Sequence, residues 1–354
     1  MNIKKLIAAL MVAPFIALAA GQAAAKEKIR VGIAVSWPGY AFWKLVEKHN
    51  LAPDYELEIT IFEDPIQGHN LLAAGQLDIY GSTLDYIPVA IEQGFNVVNV
   101  AYTNPSYGVD QVVLSPGIKA SELKGKKVAA PEAFIGHLQV GMWLDMNGLA
   151  PGDVSWVNLN ADEGVGPMIS GDIAAAYMYE PWTSKLMESV KGVQIVADTS
   201  QDAFKRTGIF GDSIYMHKDF IKNNRKAAVA LLKARWDALQ IWHDKTEETN
   251  KFFAEYLQWP VEDIPYVMGT NGKFFLGGIY MFDFDEAAQF CGVLDGEPPF
   301  GKQAGFEDAV KLTNEWWVKL GIMKKMQDPR AGIDCSLMGD LVKQGYRQSF
   351  AARE

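Results

Sequence analysis

The sequence predicts an α/β protein of two lobes, each built on a parallel-type sheet flanked by helices. Three observations support this prediction. Strand and helix patterns alternate from Ile29 onward, the alternation starts again after a loop at residues 115–117, and 354 residues exceed what one hydrophobic core usually organises. A content of 49% hydrophobic and 12% aromatic residues excludes a disordered chain.

The first lobe is predicted to have β-α-β-α-β order. Ile29, Val31, Ile33 and Val35 alternate with small or polar residues, which is the two-residue period of a strand. A helix follows through Leu45; further strands are predicted at residues 55–62, 77–81 and 96–101, with helices at 66–75 and 84–93. Strands that alternate with helices in this way form a largely parallel sheet.

The second lobe repeats this alternation. Strands are predicted at residues 127–130, 154–159, 173–178 and 193–197, with helices at 135–147, 163–170 and 182–190. Residues 213–217 are predicted to be a strand that returns to the first lobe, and the last third is mostly helical. The predicted division is a signal peptide at 1–25, a first segment of lobe 1 at 26–113, lobe 2 at 114–212, and a return to lobe 1 plus a C-terminal helical region at 213–354.

The N-terminus has the pattern of a secretory signal. Lys4 and Lys5 precede an apolar run at residues 6–20, and small residues ending at Ala25 follow. A retained N-terminal anchor is the alternative. No later stretch approaches ~20 uncharged apolar residues, so we expect a soluble, exported protein in the periplasm.

The net charge limits which binding partners are expected, and the number of cysteines limits the possible disulfides. The formal net charge is −10, and two units more negative without Lys4 and Lys5, so nucleic acid and anionic membranes are poor partners. A monomer is expected. Cys291 and Cys335 are the two cysteines, and their spacing leaves open whether they form a disulfide in an oxidising compartment.

Candidate ligand-binding residues follow from the positions of the strand ends. In open parallel sheets, ligands bind beyond the carboxyl ends of the strands, beside helix N-termini. The residues at these positions, together with Asp212 before the returning strand, are Ser36, Trp37, Gly39, Tyr40, Ser82, Thr83, Asp85, Glu132, Phe134, Gly136, His137, Tyr179, Glu180, Trp182 and Asp212.

Several of these residues have an ordinary structural interpretation as well. Ser36, Ser82 and Thr83 are common helix N-caps. A lone histidine such as His137 at a helix start is more often structural than a ligand contact, and Glu180 before Pro181 is equally a hinge or capping residue. For Asp85, ligand binding and stabilisation of a helix start are equally open interpretations. Trp37 and Trp182 are interpreted as ligand contacts, because turns alone do not require an aromatic residue at each of two strand ends.

The sequence contains none of the common catalytic motifs. G-x-S-x-G, H-E-x-x-H, G-x-x-x-x-G-K-[ST] and C-x-x-C are absent. The five histidines show no i, i+3 or i, i+4 spacing of the kind that binds metals. We therefore expect a binding protein rather than an enzyme, with no catalytic residue, metal or cofactor.

Several segments in order resemble a known family. They are residues 36–40 (Ser-Trp-Pro-Gly-Tyr), 71–79, 123–131, 148–159 and 174–182, which ends in Glu180-Pro181-Trp182. Together they resemble the periplasmic solute-binding proteins of ABC transporters for nitrate, sulfonates and taurine, also called the sulfonate-binding and thiamine-pyrimidine-like group. The resemblance covers roughly residues 28–220.

This resemblance implies a periplasmic-binding-protein fold of type II, the Venus flytrap, with crossing strands near residues 110–115 and 208–217. It also implies that the ligand is delivered to an ABC permease in the membrane that is driven by a cytoplasmic ATPase. Pyrimidine synthases of the same group use a Cys-rich motif, which this sequence lacks.

The ligand class is inferred from the side chains at the strand ends. Carboxylates such as Asp85, Glu132 and Glu180 lie near aromatic residues, a combination that suits a cationic or amino-bearing group. We therefore expect a small nitrogenous organic molecule: an amino-pyrimidine, an amine or a taurine-like zwitterion. A binding protein for aliphatic sulfonate or nitrate, and a ligand sensor on the same fold, are the alternatives.

Overall fold

The computed structural model describes residues 26–301 and 305–353. The predicted signal peptide at residues 1–25 lies outside this part of the chain. Within it, the strands are β1 (Glu27–Ala34), β2 (Tyr55–Phe62), β3 (Ile79–Thr83), β4 (Val97–Tyr107), β5 (Asp110–Leu114), β6 (Lys127–Ala129), β7 (Ser155–Val157), β8 (Ala175–Tyr179), β9 (Gln194–Asp198), β10 (Gly211–His217) and β11 (Gly278–Ile279).

The α-helices of the described residues pack on the faces of two sheets and form most of the C-terminal third. They are α1 (Phe42–Lys48), α2 (Pro65–Ala73), α3 (Ile87–Glu92), α4 (Ile135–Met146), α5 (Ala161–Ser170), α6 (Trp182–Ser189), α7 (Asp202–Lys205), α8 (Lys218–Asn223), α9 (Arg225–Asp244), α10 (Thr246–Leu257), α11 (Ile264–Met268), α12 (Phe284–Phe290), α13 (Phe306–Lys319) and α14 (Ser336–Lys343). Among them, no helix has both the length and the apolar character needed to cross a bilayer.

The first sheet has the strand order β11-β4-β10-β3-β1-β2. Its strands β2, β1 and β3 are parallel, as the β-α-β pattern predicts. Strand β10 inserts between β3 and β4 and runs antiparallel to both. The sheet is therefore mixed, because the strand that returns from the second lobe enters it in the opposite direction.

The second sheet has the order β7-β6-β8-β5-β9 and is mixed for the same reason. Strands β7, β6 and β8 are parallel, whereas β5, which arrives from the first sheet, is antiparallel to β8 and β9. Two sheets flanked by helices confirm the predicted α/β fold class. The lobe boundaries at residues 113 and 212 stay a prediction.

The chain crosses between the two sheets at adjacent points. Strand β4 continues into β5 through Gly108 and Val109, and β9 leads to β10 through the segment that contains Thr199. The Thr199 hydroxyl is hydrogen-bonded to the Ser106 hydroxyl and accepts the Gly108 N–H at 3.0 Å. Gly108 has a φ of 113°, and a side chain there would lie 2.9 Å from the backbone of Gly277. The two crossings therefore form one hydrogen-bonded junction.

The C-terminal third contacts both lobes rather than the first lobe alone. Strand β11 extends the first sheet beside β4, whereas α13 packs on α4 beside the second sheet. Lys319 of α13 forms a 2.6 Å ion pair with Asp145 of α4. Leu320 packs so closely over Gly141 that a Cβ there would lie 2.7 Å from it.

A disulfide ties two helices of this region together. Cys291, just after α12, is bonded to Cys335, just before α14, with the Cα atoms 5.9 Å apart. The sequence leaves this pairing open because spacing does not reveal spatial proximity.

We expect the Cys291→Ala/Cys335→Ala double variant to unfold more easily than the wild type. The disulfide closes a loop with a sequence separation of 44 residues, so losing it releases unfolded-chain entropy and lowers the free energy of unfolding by about 2–4 kcal/mol. Denaturant titration measures the change. The wild type in reductant is the control and is expected to match the variant; a wild type insensitive to reductant contradicts the prediction.

Candidate ligand-binding site

A cavity of about 50 Å³ lies between the two sheets. On this measure a water molecule needs roughly 10–15 Å³, so the cavity holds a few waters, or an organic ligand of roughly half a dozen non-hydrogen atoms. The residues that line it are Val35, Trp37, Tyr40, Thr83, Asn104, Ser106, Val109, Asp110, Pro131, Phe134, Ile135, Asn160, Ala161, Tyr177, Tyr179, Gly211, Asp212 and Ile279.

Asp212 on β10 is the most highly hydrogen-bonded group of the cavity. Its carboxylate accepts bonds from Tyr40 Oη at 2.5 Å, Trp37 Nε1 at 2.9 Å and Asn104 Nδ2 at 2.9 Å. A Cβ at Gly39 would lie 2.6 Å from Asp212 Oδ2, so only glycine allows the Trp37–Tyr40 loop to come this close. The carboxylate therefore fixes the loop after β1 against the returning strand.

Burial dominates the protonation chemistry of Asp212. It raises the pKa of this carboxyl to about 6, although the bonds from Tyr40, Asn104 and Trp37 favour the ionised form. Burial also raises the pKa of the Tyr40 hydroxyl well above its ordinary value, and the Asp212 charge adds to this effect. Tyr40 thus remains a neutral donor to an ionised acceptor near pH 7.

Asp110, where β5 begins in the second sheet, forms a second tyrosine–aspartate pair in the cavity lining. Tyr177 on β8 donates its hydroxyl proton to Asp110 Oδ1. Burial raises the pKa of Asp110, and hydrogen bonds from Ser106 and Tyr177 partly counteract this. A Cβ at Gly136 would lie 2.4 Å from the Tyr177 ring, so glycine at this position of α4 makes room for the tyrosine.

Aromatic rings from both lobes form the walls between the two carboxylates. Trp37 contacts the edge of Tyr179 at a centroid distance of 5.7 Å and that of Trp259 at 6.3 Å. Tyr179 also contacts Tyr177 at 5.9 Å. The Trp37–Tyr179 contact joins the two lobes beside the cavity, which both residues line.

A third carboxylate and a cation lie buried close to the cavity without lining it. Asp85 is fully buried, and burial raises its pKa to about 7, with Asp110 and Asp212 adding to the effect. Arg235 on α9 donates from Nη2 to Gly39 O at 3.3 Å and lies 4.0 Å above the Phe42 ring. Burial lowers the pKa of Arg235 to about 9, while attraction to Asp212 acts in the opposite direction.

The structure brings six of the candidate residues together around the cavity and places two glycines directly behind it. The six are Trp37, Tyr40, Thr83, Phe134, Tyr179 and Asp212; the two glycines are Gly39 and Gly136. All six come from the strand ends or the returning strand. Their binding roles stay predictions.

Three further candidates lie away from the cavity wall, on the first-lobe side. Ser36 donates its hydroxyl to Leu257 O at 3.1 Å. Ser82 is hydrogen-bonded to His69 at 3.0 Å. Asp85 accepts Trp317 Nε1 at its carbonyl oxygen, at 2.6 Å. These contacts give each residue a structural role in the first lobe.

The candidates of the second lobe that do not line the cavity also have structural contacts. Glu132 is exposed, Trp182 lies under the Lys185 ammonium at 4.3 Å, and Glu180 accepts the Ser184 N–H at 3.2 Å as a helix cap. His137 is buried against Trp156, with ring centroids 4.4 Å apart, and burial lowers its pKa to about 4. A neutral histidine packed against Trp156 within the second lobe fits the structural interpretation.

A family model matches residues 69–257, which is more than half of the chain, and its description is the NMT1-like family. The chain belongs to the NMT1-like family.

Relatives of this NMT1-like chain agree with the resemblance seen in the sequence. The taurine-binding periplasmic protein of Escherichia coli is 27% identical over 164 residues, which are 43% of this chain and 48% of that protein. The alkanesulfonate-binding protein SsuA of Xanthomonas axonopodis, solved with MOPS bound, superposes with a TM-score of 0.68 at 15% identity, covering 88% of this chain and 99% of that one. The nitrate-binding protein NrtA of Synechocystis gives 0.67 at 17%, covering 90% and 89%. The predicted family is confirmed.

Sequence reasoning missed several cavity residues of this NMT1-like chain. Asn104, Ser106 and Asp110 lie where β4 passes into β5, and polar residues within an apolar strand pair indicate such a crossing. Asn160 directly follows the β7 region, so the strand-end rule itself covers it. Tyr177 lies inside β8, where alternation predicts only that it faces one side of the sheet.

We expect Tyr40→Phe to raise the pKa of Asp212 above about 6, because the variant removes a donor that stabilises the ionised carboxylate. A ¹³C NMR titration of the aspartate carboxyl resonances measures the shift. Tyr177→Phe is the matched control, since it removes a donor to Asp110 instead. An Asp212 pKa that is unchanged or lower in Tyr40→Phe contradicts this account.

Proposed function

We propose that this chain is an extracytoplasmic solute-binding protein of an ABC importer that captures a small nitrogenous organic molecule and delivers it to a membrane permease. Family membership supports the importer role, and an N-terminal secretory pattern supports export to the periplasm. The proposed ligand carries an amine, amino-pyrimidine or related N–H group. No catalytic role is proposed.

The observation that carries the ligand class is the charge of the cavity wall. Asp110 and Asp212 line it, and among the described residues that line it none is a lysine or arginine. A buried carboxylate needs donors or a cation, and a ligand N–H⁺ group supplies both. The aromatic walls add cation–π attraction for the same group.

The arrangement of the lobes supports capture by closure. Trp37 and Asp212 come from the first sheet, and Asp110, Tyr177 and Tyr179 from the second. A ligand that contacts both sets stabilises the closed form relative to the open one. The junction at Ser106 and Thr199 is the place where such a motion is expected to hinge.

A sulfonate, nitrate or taurine-like ligand is the second candidate. Phe134, Ile135, Asn160 and Ala161 line the cavity where α4 and α5 begin, and helix N-termini suit anions. Relatives named for taurine, alkanesulfonate and nitrate belong to the same family or share the fold. The two carboxylates disfavour a simple anion, because like charge repels it in a low-dielectric site. A zwitterion satisfies both features.

We expect a thermal-shift screen of the purified protein to respond to amine-bearing compounds and not to nitrate. A ligand at 100 times its dissociation constant adds about 2.7 kcal/mol of stability. Amines, amino-pyrimidines, taurine, alkanesulfonates and nitrate are the test set. Binding of nitrate or an alkanesulfonate without binding of any amine-bearing compound contradicts the proposed ligand class.

Affinity for a cationic ligand is expected to fall as the pH drops below about 6. Protonation of Asp212, whose pKa burial raises to about 6, removes the charge that attracts the ligand. When one carboxylate is protonated, the affinity for the ligand falls by at most about tenfold per pH unit. Calorimetry between pH 5 and 8 measures it, and a pH-independent affinity contradicts a role for this carboxylate.

Trp37→Ala is expected to weaken binding without unfolding the protein. The substitution removes an aromatic wall and one donor to Asp212. A loss of roughly tenfold or more in affinity follows from the stacking and hydrogen-bond contributions. Trp316→Ala is the control, because Trp316 lies on α13 under the Lys319 ammonium and does not line the cavity. Equal affinities for the wild type and Trp37→Ala contradict the assignment of this wall.

A further inference from the structure

The geometry points to a compact planar cation of the guanidinium or amidinium class, whose N–H groups bridge Asp212 of one wall and Asp110 of the other. This inference rests on the proposed function and narrows its ligand class. It is carried by the cavity's size, its two opposed acceptors and its aromatic walls.

The two acceptors require a ligand with donors on more than one edge. Asp212 is held by Tyr40, Trp37 and Asn104 on the first sheet, and Asp110 is held by Tyr177 on the second. Each carboxylate keeps lone pairs for a further donor, since a carboxylate accepts about four hydrogen bonds. A guanidinium or amidinium group presents N–H donors along several edges of one plane, whereas a primary ammonium presents all its donors from a single atom.

The aromatic walls suit a flat, delocalised cation. Trp37, Tyr177 and Tyr179 line the cavity, and the Tyr179 ring contacts the other two at centroid distances of 5.7 and 5.9 Å. Guanidinium-type cations stack on aromatic faces and are more weakly hydrated than an ammonium, so their transfer from water into the cavity costs less. The cavity of about 50 Å³ is large enough for such a group.

The balance of buried charge favours a cation over a neutral molecule. Asp110 and Asp212 raise the pKa of Asp85, and Asp110 raises that of Asp212, so negative charges repel in this region. Arg235 is the neighbouring buried cation, but it bonds Gly39 outside the cavity. A cationic ligand relieves the remaining repulsion.

The decisive comparison is guanidinium chloride against urea, measured by isothermal titration calorimetry at millimolar concentration and pH 7.5. Urea has the same planar shape and lacks the charge. We expect guanidinium and acetamidinium to bind roughly 10- to 100-fold more tightly than urea and acetamide, as charge-assisted bonds require. Tetramethylguanidinium, which keeps the charge and loses most N–H donors, is expected not to bind.

Substitutions of the two aspartates test whether the ligand bridges them. Asp110→Asn and Asp212→Asn are each expected to lower guanidinium affinity by roughly tenfold or more. Asp162→Asn is the matched control, because it makes the same change at an exposed carboxylate beside the cavity residue Ala161. Thermal unfolding of each variant verifies that it folds. An affinity that depends on Asp212 and not on Asp110 overturns the bridge.

The outcomes separate this inference from the proposed function. If methylammonium, an amino-pyrimidine or taurine binds and guanidinium and acetamidinium do not, the planar-cation inference fails and the amine-binding function stands. If no nitrogenous compound binds and an alkanesulfonate or nitrate does, both fail. Tighter binding of guanidinium than of urea, lost in both aspartate variants, supports both.

Discussion

The arrangement of the molecule around its cavity depends on keeping one carboxylate, Asp212, buried and satisfied. A buried carboxylate without donors is unstable, so its position requires Trp37, Tyr40 and Asn104 to converge on it. These donors belong to the loop after β1 and to β4, while Asp212 itself is on β10. The same hydrogen bonds that satisfy the charge therefore fix three separate chain segments of the first sheet.

The second lobe also contains a buried carboxylate that is held by hydrogen bonds, with fewer donors. Tyr177 holds Asp110 at the point where the chain enters the second sheet, and Gly136 leaves room for the tyrosine ring. Each lobe thus presents a tyrosine-held carboxylate to the space between them. The crossings at Ser106 and Thr199 form a short junction between the lobes, next to Asp110, whose N–H donates to the Ser106 hydroxyl at 3.4 Å.

The C-terminal region adds a second connection between the lobes. Trp317 donates to the carbonyl of Asp85 on the first lobe and lies 6.0 Å from the His137 ring of α4. The Lys319–Asp145 ion pair lies on the same face of the contact. Because exposed ion pairs contribute little, the packing of Trp317 and Leu320 contributes most to this contact. A helix that the sequence assigns only to a helical tail therefore contacts both lobes.

From the sequence one could predict the order of most strands and helices up to about residue 217, the family, and six of the residues around the cavity. Local periodicity encodes each element, and the carboxyl ends of parallel strands meet at one edge, so Trp37, Thr83 and Tyr179 could be placed without a structure. Asn104, Asp110 and Tyr177 could not, because they lie inside or between strands, where sequence pattern does not tell which side chains meet. The tertiary structure alone shows that Asp110 and Asp212 line one cavity, that Cys291 reaches Cys335, and that His137 packs against Trp156 rather than lining the cavity. The physical reason is that these contacts join residues far apart in the chain, and their distances depend on how the crossing strands orient the two sheets.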